Sequence, residues 1–260
     1  MTATGGGIAM NLIDLMPSKR TRRPVARANP RRIARLLGAM VVATWAALLN
    51  APVPFASAQP CPDVEVVFAR GTGEPPGVGG VGQAFVDSLR SQVGGRSLGV
   101  YPINYAASND FGAGIQFAAT VIDGIRDASG HIETMAANCP NTRMVLGGYS
   151  QGAALAGYVT SAAIPEGVPA ALVPAPMPPQ VADHVAAVVL FGKPSAEFLQ
   201  PYGAPPIVIG PLYAGKTIEL CAPGDTICSG SAGGGPTVAH ALYGVNGMVG
   251  QGAAFAASRL

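Results

Sequence analysis

Charge is scarce in this chain. Only 12% of its 260 residues are Asp, Glu, Lys or Arg, aromatic residues make up 6%, and there are three histidines. Hydrophobic residues reach 49%, so there is ample material for a large core. The net charge of +2 misleads, because much of the Lys and Arg lies in the first 35 positions. From Gln59 onward acidic residues outnumber basic ones, which removes the basic face that nucleic-acid binding requires. No apolar run reaches the roughly 20 residues of a spanning helix. The longest candidate, 36–49, is stopped by Asn50, Pro52 and Pro54. The four cysteines lack C-x2-C spacing, and no histidine lies near the first pair, so a zinc site is not expected. The run Gly233-Gly234-Gly235 is not followed by Gly-Lys-Ser/Thr, so it reads as a flexible loop, not a phosphate loop. Neither a metal nor another cofactor is expected.

The N-terminus reads as targeting sequence. Arg20, Arg22, Arg23, Arg27, Arg31, Arg32 and Arg35 form a basic stretch. The apolar run 36–49 follows, and Ala56-Ser57-Ala58 has the small-x-small pattern of a cleavage site. Residues 1–58 are therefore expected to be a signal peptide, and 59–260 the folded domain of a secreted, extracellular or cell-envelope protein. Cys61, Cys139, Cys221 and Cys228 all follow that site. An exported chain meets an oxidising compartment, so two disulfides are expected. Three pairings are open by count. Cys61 and Cys139 each precede a predicted strand, and parallel strands begin on the same sheet edge. That favours Cys61–Cys139 and leaves Cys221–Cys228 to close a short loop.

Strand and helix patterns alternate along 59–260. Strands are predicted over 63–69, 98–105, 143–147, 185–192 and 217–221. Helices are predicted over 82–92, 112–137 (with a break near Ser129-Gly130), 151–162 and 250–260. Residues 238–243 start or precede another. The helix at 112–137 carries Ile115, Ala119, Ile122, Ile125, Ile132 and Met135 on its expected inner face. The proline-rich stretch 165–179 reads as an irregular excursion. Alternation of this kind implies a parallel sheet with helices on both faces.

The sequence Gly147-Gly148-Tyr149-Ser150-Gln151-Gly152 joins a predicted strand to a predicted helix. That context gives G-x-S-x-G its meaning: Ser150 is held out of the core on a sharp turn at a helix N-terminus. A serine hydroxyl needs a base, and in this kind of fold the partners follow in the order Ser, acid, His. His131 precedes Ser150. His184 has only Glu166 and its neighbour Asp183 between it and the serine. His240 remains as the base. Asp225, in a loop at the carboxyl edge of the sheet, is preferred as the acid over Glu219, Asp183 and Glu197, because a Cys221–Cys228 bridge would hold it rigid. The N–H of Gln151 and a donor from Thr72, in the loop after the first strand, are the expected oxyanion partners.

Together, Phe68-Ala69-Arg70-Gly71-Thr72-Gly73-Glu74, Cys139-Pro140-Asn141-Thr142, the serine motif, the segment from Cys221 through Pro223-Gly224-Asp225 to Cys228, and Ala239-His240 resemble the cutinase family, in particular its mycobacterial members. The likeness runs from about Cys61 to the C-terminus. It implies a three-layer α/β-hydrolase fold with a central parallel sheet. It also implies Ser150, Asp225 and His240 as a triad, Thr72 and Gln151 as the oxyanion hole, and the two bridges named above. The implied activity is carboxylic ester hydrolysis through an acyl-enzyme. The implied partner is a lipid or other ester substrate met in transient contact with a lipid surface or the cell envelope, by a protein that is a monomer and binds no nucleic acid. Acyl transfer between lipids would use the same residues. A non-catalytic surface protein on this scaffold would lack a triad member, and none is missing. The loops near 111–117 and Thr237-Val238 are the expected walls for an acyl chain, and the stretch 165–179, longer than is usual in the family, is placed to roof the site in part.

Overall fold

The computed structural model describes residues 61–230 and 235–260. The predicted signal peptide and most of the triglycine run lie outside them. Five strands form one sheet: β1 (Val64–Ala69), β2 (Leu98–Pro102), β3 (Arg143–Tyr149), β4 (Val185–Phe191) and β5 (Thr217–Leu220). Their order is β2-β1-β3-β4-β5, and every pairing is parallel. The longer helices are α1 (Gly79–Gln92), α2 (Ile115–Asn138) and α3 (Gln151–Val159). Short α4 (Ala196–Leu199), α5 (Pro211–Ala214) and α6 (Val238–Ala241) precede the terminal α7 (Met248–Ala257).

The three central strands are almost wholly apolar because both of their faces are covered. Successive side chains point to opposite faces. Val67, Leu146 and Leu190 thus join Leu155 and Val159 of α3 and Ile132 of α2 in one core. Val66, Phe68 and Phe191 join Phe85 and Leu89 of α1 and Ala253 and Ala256 of α7 in the other. Phe68, Phe85 and Phe191 meet ring to ring, with centroids 5.7–6.4 Å apart.

Three local expectations are corrected. Helix α1 begins three residues before the predicted start. Helix α2 runs unbroken through Ser129-Gly130. Gly130 is exposed with open space around it, and one exposed glycine weakens a helix by only about 1 kcal/mol. The predicted inner face of α2 is core-facing only in its second half. Ile132 is fully buried, whereas Ile115 is 68% exposed. Helix α2 packs tightly against α3 at Gly124, where a Cβ would come within 2.3 Å of the Leu155 side chain.

Both bridges are present as Cys61–Cys139 and Cys221–Cys228. His131 lies far from Ser150 in the fold. It pairs with buried Glu65 at 2.9 Å near the start of β1, with its ring stacked on Tyr101.

Burial pushes six tyrosines upward from the ordinary phenol value: Tyr101, Tyr149, Tyr158 and Tyr213, the last three to about 12, and Tyr105 and Tyr243 further. A folded-state value above the unfolded one means that the neutral phenol is favoured by folding. That stability is full below the unfolded value of about 10. It is lost as pH rises from there through the folded values. Alkaline titration is therefore expected to release these phenolates together with far-ultraviolet circular dichroism in one cooperative step. Independent, non-cooperative ionisation near the free-phenol value would contradict it.

Candidate active site

The carboxyl ends of β1, β3, β4 and β5 converge on Ser150, where ligand sites of open α/β sheets sit. Ser150 adopts φ 55°, ψ −118°, a left-handed strain rare for a residue with a Cβ. Its N–H donates to Phe191 O at 2.9 Å, and its C=O accepts from Ala153 and Ala154 at the start of α3. The glycines beside it are required by close approach. A Cβ on Gly148 would lie 2.2 Å from Gly152 O, and one on Gly152 only 2.1 Å from Ala69 O and 2.4 Å from Arg70 O. These contacts set the start of α3 directly against the end of β1.

A hydrogen-bonded chain runs from the serine. His240 Nε2 lies 2.8 Å from Ser150 Oγ, and His240 Nδ1 lies 2.8 Å from Asp225 Oδ2. Nδ1 faces a carboxylate, which accepts only, so it carries the proton and Nε2 is left to accept from the serine hydroxyl. Asp225 is fully buried. Its Oδ1 accepts the Ile227 N–H at 2.9 Å, and its Oδ2 also accepts the Tyr243 hydroxyl at 2.7 Å. The Cys221–Cys228 bridge closes the loop around it, with Cys228 Sγ 3.0 Å from Oδ2. Cys221, Asp225 and Cys228 form the one group of three potential metal ligands among the described residues. Both sulfurs are already committed to the disulfide, so the group offers no thiolate.

The alternative acids lie elsewhere. Glu219 pairs with Lys193 at 3.1 Å. Asp183 and His184 precede β4, at the opposite edge of the sheet from Ser150, and Glu197 lies on α4.

Thr72 and Gln151 line the same cavity as Ser150 and His240. The Gln151 N–H belongs to the first turn of α3, where backbone donors have no partner within the helix. The Thr72 loop is tied down on both sides. The Glu74 carboxylate accepts N–H bonds from Gly71 at 2.6 Å and Gly80 at 2.7 Å, and Gly73 N–H donates to Ala107 O at 2.7 Å. Arg70 donates to Glu74 O and Tyr105 O, and the Tyr105 hydroxyl donates to Arg70 O. Gln151 Nε2 donates to Ser108 O at 3.1 Å.

Four contributors were missed in the sequence. Tyr243 clamps Asp225 and also accepts the Ala222 N–H. Its spacing of three residues from His240 was the available signal. Tyr149 donates to the His240 carbonyl at 2.6 Å. Gly192, at φ +57°, leaves room that a Cβ would close to 3.0–3.2 Å from Tyr243, His240 and Asp225. Glu74 anchors the Thr72 loop, a role that local sequence does not announce.

A sheet of this topology, with a serine on the β3 turn, a carboxylate after β5 and an imidazole after that, defines an α/β-hydrolase. The Cutinase family model matches residues 60–260, and the chain belongs to that family. It is 52% identical to "Carboxylesterase Culp1" of Mycobacterium tuberculosis over 237 residues, covering 89% of this chain and 98% of that one. It is 69% identical to "Probable carboxylesterase Culp7" of the same organism over 170 residues, covering 65% and 89%. Among solved structures, a Trichoderma reesei cutinase in complex with a phosphonate inhibitor is similar at 32% identity and a TM-score of 0.52, covering 76% of this chain and 77% of that one.

Proposed function

We propose that this carboxylic ester hydrolase works through an acyl-enzyme on Ser150. The observation that carries the reading is the continuous chain Ser150–His240–Asp225 at the mouth of a cavity. His240 Nε2 takes the Ser150 proton as Oγ bonds to the ester carbonyl carbon. The oxyanion forms against the N–H of Gln151 and a donor of Thr72. Collapse expels the alcohol, which leaves with the proton from His240. Water then repeats the sequence on the acyl-serine and releases the acid. Buried Asp225 holds the imidazole and favours its charged form.

Export as a secreted domain of 59–260, after removal of 1–58, belongs to the same reading. The basic and apolar leader and the two disulfides support it. Mass spectrometry of the protein from culture medium should give an N-terminus near residue 59. Retention of the leader would count against export by this route. The catalytic reading is tested by a fluorophosphonate probe, which should label Ser150 stoichiometrically and stop hydrolysis of nitrophenyl butyrate. Full activity after labelling elsewhere would end it.

Gly152→Ala separates the oxyanion geometry from the triad. The new Cβ would meet two backbone oxygens of the β1 end, so α3 and the Thr72 loop must part. Loss of one aligned oxyanion donor lowers kcat by about 10²–10³. Overpacking adds about 1–3 kcal/mol of destabilisation. Probe labelling should persist at a reduced rate, since Ser150 and His240 are retained. Unchanged kcat would show that the close approach is irrelevant to turnover.

A further inference from the structure

Among the described residues, two that carry a Cβ take positive φ: Ser150 at 55° and Ala107 at 48°. The serine's conformation belongs to the sharp turn that opens α3. Ala107 is buried in the irregular segment between β2 and α2. A left-handed backbone is disfavoured for any residue with a Cβ, and alanine has no polar side chain to offset the cost locally.

A second cost stands beside it. Gln151 is buried, and its Oε1 has no hydrogen-bond partner in the protein. Buried polar atoms are nearly always paired, so an orphan calls for a reason. Turning the amide over would not help, because Ser108 O only accepts and the NH2 must face it. Both costs meet at one hydrogen bond, from Gln151 Nε2 to Ser108 O at 3.1 Å, on the residue after Ala107. Strain of this kind persists only where the surrounding structure over-determines it, and it gathers at functional sites.

The two sides of that bond supply the reason. Ala107 O accepts the N–H of Gly73, the neighbour of Thr72, at 2.7 Å. Arg70 donates to Tyr105 O, the Tyr105 hydroxyl donates back to Arg70 O, and the guanidinium lies over the Tyr105 ring. Segment 105–108 is thus fastened along 70–73 on one side. On the other, Ser108 fastens it to the first residue of α3. Thr72 and the Gln151 N–H, the two oxyanion donors of the esterase reading, stand at opposite ends of this strut.

We infer that the Gln151 carboxamide is a positioning group: its bond to Ser108, carried through strained Ala107, sets the spacing between the two oxyanion donors. The inference rests on the esterase reading and deepens it, because one residue then works twice. Its N–H meets the oxyanion, and its side chain holds the loop that brings the other donor. Donors fixed in advance need no reorganisation as charge develops on the carbonyl oxygen.

Gln151→Leu and Gln151→Met test this. Both keep the bulk of the side chain and the backbone N–H, and both remove the bond to Ser108. Each should lower kcat for nitrophenyl butyrate about a hundredfold, the scale of a misplacement of about 1 Å, while KM changes little. Wild-type kcat in either folded variant would show that the side chain only fills space, and overturns the inference. A loss that falls on KM instead of kcat overturns it too. If one variant does not fold, the other decides. A second readout looks at the oxyanion site itself. With a fluorophosphonate, Ser150 Oγ bonds to phosphorus, fluoride leaves, and the phosphoryl oxygen takes the oxyanion's place. The phosphorus NMR resonance of this adduct in the variants should move from its wild-type position toward that of the urea-unfolded adduct. A slow variant whose resonance stays at the wild-type position overturns the inference and leaves the esterase reading intact. Failure of the wild type to be phosphonylated at Ser150 would sink the esterase reading and this inference with it.

Discussion

Replacing Ser150 by alanine is expected to lower kcat for nitrophenyl butyrate by about 10⁶, and His240→Ala by a similar factor. The double substitution should be no worse than either single one. Oγ and Nε2, 2.8 Å apart, form one proton-transfer unit. Removing either member leaves the other with nothing to do. Some acceleration should survive, because the unpaired donors at the start of α3 and the bound ester remain. For enzymes of this kind that residue is about 10³–10⁴ over water. The alanine variant should fold as the wild type does, since Ser150 is anchored through its backbone to Phe191, Ala153 and Ala154. Losses that multiply in the double variant would show that serine and histidine act independently, which the proposed mechanism forbids. Fluorophosphonate titration of the Ser150→Ala preparation counts any trace of wild-type enzyme, so that it is not read as residual activity.

Asp225→Asn is the second large effect. Every hydrogen bond to this carboxylate comes from a donor: the Ile227 N–H on Oδ1, and His240 Nδ1–H and the Tyr243 hydroxyl on Oδ2. An amide accepts at only one of its two ends. If its oxygen stays with Ile227, its NH2 points at His240 and Tyr243. The imidazole then turns its acceptor nitrogen to the amide and its N–H to Ser150, the wrong tautomer for taking a proton. A change of this kind lowers kcat by about 10⁴ with little change in geometry. KM should move much less than kcat, because the acyl chain and the oxyanion donors are untouched. A loss of tenfold or less would mean that another group orients His240, and the Tyr149 hydroxyl does not qualify because it holds only the backbone carbonyl.

The architecture was legible for a specific reason. Parallel strands covered on both faces are nearly continuous apolar runs, so 63–69, 143–147 and 185–192 stood out among helical spacings, within two residues of the observed strands. The candidate site was legible because the proposed chemistry is ordered along the chain, and three histidines leave few choices of base. What was not legible depends on distance in space. Ile115, Ala118, Ile122 and Ile125 of α2 line the cavity at Ser150 although their spacing is that of a core-facing helix, because periodicity alone does not distinguish a core from a cavity lined like one. Glu74, Tyr149 and Tyr243 act through backbone groups or through a carboxylate brought near by folding, and such roles leave no local pattern. The break predicted at Ser129-Gly130 failed because α2 is held by packing at Gly124, Ala128 and Ile132.

The two disulfides divide their work by loop length. Cys61–Cys139 spans 78 residues and ties the start of β1 to the approach to β3, at the edge of the sheet away from Ser150. A bridge of that span removes roughly 4–5 kcal/mol of unfolded-chain entropy. Cys221–Cys228 spans only 7 and removes less, but it encloses the carboxylate that fixes the imidazole. The long bridge is therefore expected to set chiefly how long the fold survives, and the short one how firmly the Asp225 loop is held. Reductant and heat need not act in parallel on this protein: a chain that has lost only the short bridge can remain folded and still be a poor catalyst.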